Sequence, residues 1–121
     1  MKSLTPFERA YLDCALWASM DNRDDSGGTP LDQNYGISDI APETLTRMLE
    51  DCADFETDAA LDLADLDEAQ SGHDFWLTRN RHGAGFWDRG LGVIGDRLTQ
   101  AAHAWGSFDL YIGDDGQVWG S

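Results

Sequence analysis

Positive charge is what this sequence most conspicuously lacks. Eight lysines and arginines face 23 aspartates and glutamates, a formal net charge of −15 over 121 residues. A field of that sign repels nucleic acid, nucleotides and anionic membranes, and it favours a basic partner. Cysteine is scarce too. Cys14 and Cys52 are the only two; both fall at apolar positions of predicted helices and read as buried thiols, with no disulfide framework. Long apolar runs are missing as well. The opening stretch MKSLTPFERAYLDCALWASM carries Glu8 and Asp13 within its apolar residues, which fits neither a secretory leader nor a spanning helix. No membrane association and a cytoplasmic setting are therefore expected.

What the chain does have is enough bulk for one core. Five Trp, five Phe and three Tyr suit a single domain over 1–121 that needs no metal or disulfide staple. The charge is segregated along it. From Glu43 to Glu68 there are ten acids and one base, Arg47. From His73 to Trp105 three acids meet four arginines.

The acidic part reads as helix. Pro42 suits a first helical position, with Glu43 near the positive end of the dipole. Met48, Cys52, Phe55, Ala59, Leu63 and Leu66 recur at three- or four-residue steps as one apolar stripe. Gly72 reads as the stop, and a break near Thr57 or Asp58 would make two helices. Glu50, Asp54, Asp58 and Asp62 fall at i+4 steps, with Asp65 three further on. Like charges so placed lie about 5–6 Å apart and weaken a helix by a few tenths of a kcal/mol per pair. The row is either a solvated helix face or a set of carboxylates standing in for phosphates before a basic groove. On the second reading Glu50, Asp51, Asp54, Asp58, Asp62 and Asp65 are the partner-binding candidates.

Thr5 and Pro6 open an earlier helix over residues 5–20. Residues 21–41 read as a loop; a calcium-loop count from Asp21 fails at Arg23 and Ser26. The run HDFWLTRNRHGAGFWDRG (73–90) reads as two strands joined at residues 80–83, with Trp76 opposite Trp87, Leu77 opposite Phe86 and Asp74 opposite Arg89. A helix over 91–105 follows, with Ile94, Leu98, Ala101 and Trp105 inward and Gly106 as its end. Asp115-Gly116 marks a terminal hairpin. The expected fold is α+β: N-terminal helices on a small antiparallel sheet built from the central and C-terminal hairpins, one helix between them. Residues 1–72 form its helical acidic part and 73–121 a hairpin-helix-hairpin part.

The central run admits several chemistries. Gly90 to Gly95, GLGVIG, matches a dinucleotide fingerprint, but no buried strand precedes it. His73, Asn80, His82 and His103 evoke a metal nuclease of the His-Asn-His type, against which the acidity argues. No nucleophile elbow accompanies Ser71 or Thr78. The structural reading makes Phe75, Trp76, Phe86 and Trp87 core, pairs Asp74 with Arg89, and docks Arg79, Arg81 and His82 on acids elsewhere. No cofactor and no metal are expected.

The central run, with GDRLTQAAHAWG, DLYIGDDG and the upstream PLDQNYGISDIAPETL, resembles a family of small acidic bacteriophage and prophage proteins. The resemblance spans roughly residues 30–116 and implies glycine at the place of Arg81. It also implies a virus-encoded accessory protein acting in the host cytoplasm. The combined expectation is a non-enzymatic inhibitor of DNA-mimic type that binds a basic, nucleic-acid-binding host protein, such as a CRISPR or restriction enzyme, and not nucleic acid itself. His73, Asp74, Arg79, Asn80, Arg81 and His82 would add a secondary contact. The alternatives are a small metal-dependent enzyme centred on His73, Asn80 and His82, or a virion assembly factor.

Overall fold

The computed structural model describes residues 3–21, 28–82 and 85–121. Helix α1, Pro6–Ala18, starts where the local chemistry directs it. The Thr5 hydroxyl accepts from the Glu8 N–H at 3.1 Å, and the Glu8 carboxylate accepts from the Thr5 N–H at 2.8 Å. That reciprocal cap satisfies two otherwise orphaned donors. The helix buries Phe7, Tyr11, Leu12, Cys14, Ala15 and Leu16.

The region read as loop contains a short ribbon, β1 (Met20–Asp21) antiparallel to β2 (Thr29–Pro30). Two single 3₁₀ turns follow, Leu31–Gln33 and Ile37–Asp39. The calcium-loop count at Arg23 and Ser26 lies outside the described residues. Helix α2, Pro42–Asp58, begins on the proline and sinks Thr44, Met48, Cys52 and Phe55. It ends where a break was expected, at Ala59, and α3 (Ala60–Leu63) adds one more turn.

The central hairpin is not formed. Residues Glu68–Arg79 are a helix, α4, whose N-cap Asp67 accepts from the Gln70 N–H at 2.8 Å. Eight of its twelve residues are buried, so it crosses the core and carries no polar stripe. Without that stripe the 3.6-residue period is hidden, and the aromatic and branched residues mimic a strand. Gly72 does not end a helix. It lies within α4, where a Cβ would overlap the Phe7 carbonyl of α1. Trp87 is 56% exposed and does not pair with the buried Trp76.

Helix α5, Val93–His103, follows a 3₁₀ turn at Phe86–Asp88. Leu98 and Ala102 are its buried residues with Gly95, whereas Ile94 is exposed. Gly106 closes it with φ +74°, a left-handed position that favours glycine. The terminal hairpin is present: β3 (Leu110–Ile112) pairs antiparallel with β4 (Val118–Gly120), placing Tyr111 beside Trp119. Its Asp115 carboxylate accepts from the Gln117 N–H and the Trp119 indole. The hairpin is tied to the start of α2, since the Ala41 N–H donates to the Val118 carbonyl at 2.8 Å and the Gly120 N–H to the Thr44 hydroxyl at 3.1 Å.

The class is thus α+β, with two separate two-stranded sheets in place of one shared sheet. The buried side chains form one cluster. Its centre is aromatic: Phe55 stacks on Phe75 with centroids 4.0 Å apart, and Phe75 also meets Phe7, Tyr11 and Trp105. Stacked and edge-to-face pairs of this kind add about 0.5–1.5 kcal/mol each beyond their area burial.

Candidate functional site: the acidic face of α2 and the two ends of α4

The carboxylate row divides into three groups. Glu50, Asp54 and Asp58 are exposed along one face of α2 and have no ion-pair partner among the described residues. At a rise of 1.5 Å per residue they stand ~6 Å apart. A DNA strand carries one charge per ~3.4 Å of axis, so the row has roughly half its density. Arg47, also exposed, does not neutralise it: its guanidinium lies over the Phe108 ring, 5.2 Å from the centroid.

Two of the six partner-binding candidates are engaged within the fold. Asp51 points inward, its side chain 15% exposed, and accepts from Arg79 at 2.9 Å. Asp62, past the Ala59 break, holds Arg97 of α5 at 2.6 Å, and this hydrogen bond keeps its carboxyl below the usual range. Asp65 is exposed beyond α3. Glu56 turns off the row into a recess with Phe7, Leu63, Leu66 and Glu68. Burial, then the neighbouring Glu68 and Glu8, hold its carboxyl above the usual carboxylate range.

The six motif residues do not converge. His73, on the first half of α4, lies against Trp17 of α1 with ring centroids 6.1 Å apart. Asn80 and His82 lie beyond the other end, and seven residues of helix separate His73 from Asn80 by about 10 Å. Among the described residues no three His, Cys, Asp or Glu side chains come together to hold a metal. The GLGVIG run follows a 3₁₀ turn and not a strand, so the dinucleotide context is lacking.

Several motif residues have clear structural work. Asp74, 2% exposed, receives a forked pair of bonds from Arg89, with the shortest at 2.9 Å, and another from Gln70 at 3.0 Å. The pairing expected across a hairpin therefore exists, reached from a helix. Hydrogen bonding to Asp74 raises the Arg89 pKa further. Arg79, 4% exposed, bonds the Tyr11 hydroxyl, Asp51 and the Gly106 carbonyl, each at 2.9 Å. Burial raises the Tyr11 pKa despite that arginine. Asn80 caps α4 by donating to the Trp76 carbonyl, and its Oδ1 accepts from the Phe108 N–H at 2.8 Å.

Arg81 closes the helix in the left-handed region, φ +59°. Its N–H donates to the Thr78 carbonyl and the His82 N–H to the Leu77 carbonyl, the paired bonds of a left-handed helix cap, which prefers glycine. Arg81 also faces His103, whose pKa is lowered by burial and then by this arginine. Replacing Arg81 with glycine should raise stability by about 0.5–1 kcal/mol, read by urea denaturation; a loss would mean that the arginine makes a contact outweighing its backbone strain.

A shallow recess of about 390 Å³, not legible in the sequence, is lined by Ala10, Asp13, Cys14, Trp17, Asp32 and His73. The helical spacing of residues 10, 13, 14 and 17 was a partial signal, but Asp32 and His73 join only in three dimensions. No protein-family model, no curated protein and no solved structure matches the chain.

Proposed function

We propose that this protein binds a basic, nucleic-acid-binding surface of a host protein and blocks it. The observation that carries the reading is the exposed trio Glu50, Asp54 and Asp58 on α2, without an ion-pair partner among the described residues, in a chain of net charge −15. Carboxylates held on a rigid helix meet a row of lysines and arginines without the cost of ordering a loop backbone. Asp51 and Asp62, engaged by Arg79 and Arg97, are left out of the contact, and Asp65 extends it. The resemblance to phage and prophage proteins supports a setting in the host cytoplasm and a defence nuclease, such as a CRISPR or restriction complex, as target.

The reading predicts fast association that weakens with salt, because exposed charges are screened within about 10 Å at 0.1 M. The test is capture from host lysate on the immobilised protein at low salt, followed by a salt step. A nucleic-acid-binding enzyme should elute in that step and lose its activity on nucleic acid when the protein is added back. Capture of virion proteins alone would replace this reading with an assembly role.

A further inference from the structure

We infer that the recess between α1, α4 and the Leu31–Gln33 turn is a binding site for a guanidinium side chain, an arginine presented by a basic partner. Three features of the recess converge on that chemistry. Trp17 is 56% exposed although it sits on a helix whose other aromatic residues are in the core. Its indole is set against the His73 ring at 6.1 Å and 31°, which limits the orientations it can take. Asp13 and Asp32, both exposed, stand on two sides of the recess. Neither has a hydrogen bond or ion pair among the described residues.

An indole face is the best aromatic platform for a cation, and a planar guanidinium stacks on it while its edge donors reach carboxylates. Ala10 and the buried Cys14 complete the lining. Burial pushes the Cys14 thiol up to about 12, so that wall is uncharged at neutral pH. The field of the whole molecule concentrates cations and excludes anions. A metal ion is the poorer occupant, since no three ligating side chains converge among the described residues.

The biological use of this recess rests on the proposed basic partner, for which it would take one arginine apart from the α2 face. Its affinity for a guanidinium does not depend on that face. The probe is N-acetyl-arginine N-methylamide, titrated into the protein while the Trp17 indole N–H and the His73 ring are followed by NMR. A saturable shift at both positions is expected, with millimolar affinity, and none with the uncharged citrulline analogue. Trp17→Ala, and Asp13→Asn with Asp32→Asn, should each weaken binding by about two- to fivefold. All three positions are exposed, so the fold should persist. Glu50→Lys/Asp54→Lys/Asp58→Lys should leave the probe's affinity within about twofold, the residual being long-range screening. Absence of a saturable shift, an equal response to citrulline, or indifference to Trp17→Ala would overturn the site. If the probe binds as expected but no basic partner is captured, the recess stands and the proposed function fails.

Discussion

Replacing Arg79 with methionine is expected to cost about 3 kcal/mol, toward the lower end of the range for breaking a buried ion pair. Arg79 bonds α1 through the Tyr11 hydroxyl, α2 through Asp51 and the end of α5 through the Gly106 carbonyl. Its guanidinium also lies within 5.5 Å of the Phe75 ring centre and 5.4 Å of Phe108. Methionine keeps much of the stem's packing and removes every donor. Asp51 would be left facing the core, although its 15% exposure gives the carboxylate some water and sets the loss below the extreme. Folded domains carry roughly 5–15 kcal/mol in all, so the variant should unfold at clearly lower urea concentration with an unchanged slope. Asp51→Asn keeps an acceptor for Arg79 and should cost less. A methionine variant as stable as the parent would mean that the three helices are held without this hub.

The second large effect concerns Gly72. On an isolated helix, glycine to alanine is stabilising by about 1 kcal/mol. Here the sign should reverse. A Cβ at residue 72 would overlap the Phe7 carbonyl oxygen and approach two further backbone atoms of Phe7. Backbone cannot rotate away as a side chain can, so α1 and α4 must separate where they cross. We expect Gly72→Ala to lose about 2–3 kcal/mol, the upper part of the overpacking range, measured by thermal and urea denaturation. Gly36, where a Cβ meets open space, is the control and should change little. A stabilised Gly72→Ala protein would contradict the crossing geometry.

These two residues also mark where the sequence became unreadable. Helices α1 and α2 were legible because Thr5, Pro6, Pro42 and Glu43 are start signals that act locally, and the terminal hairpin because Asp115-Gly116 is a local turn signal. Helix α4 was not, since a helix buried on nearly all sides loses its polar stripe, and Gly72 then looks like punctuation when it serves close packing. The cap at Arg81 was hidden by the same error. Its left-handed φ of +59° belongs to a helix end, and the residues read as a hairpin loop, 80–83, carry that end and its capping bonds, with Gly83 outside the described residues. The Asp74–Arg89 pair was foreseen because opposite charges seek each other in any register.

Of the candidate site, the row on α2 was legible from i+4 spacing alone. Which of its members stay free was not, because Asp51 and Asp62 are claimed by Arg79 and Arg97 from 28 and 35 residues away. The recess at Trp17 joins three elements and has no signature in any one of them.

The acidic face is tested most sharply by the affinity of the captured host protein for the wild type and for Glu50→Lys/Asp54→Lys/Asp58→Lys, at low and at physiological salt, with duplex DNA as competitor. The trio is exposed and has no ion-pair partner among the described residues, so the variant should fold as the wild type does. The wild type should bind and be displaced by salt and by DNA, and the lysine variant should fail to bind. Equal binding by the variant, or wild-type binding that neither salt nor DNA weakens, would contradict the acidic face as the contact.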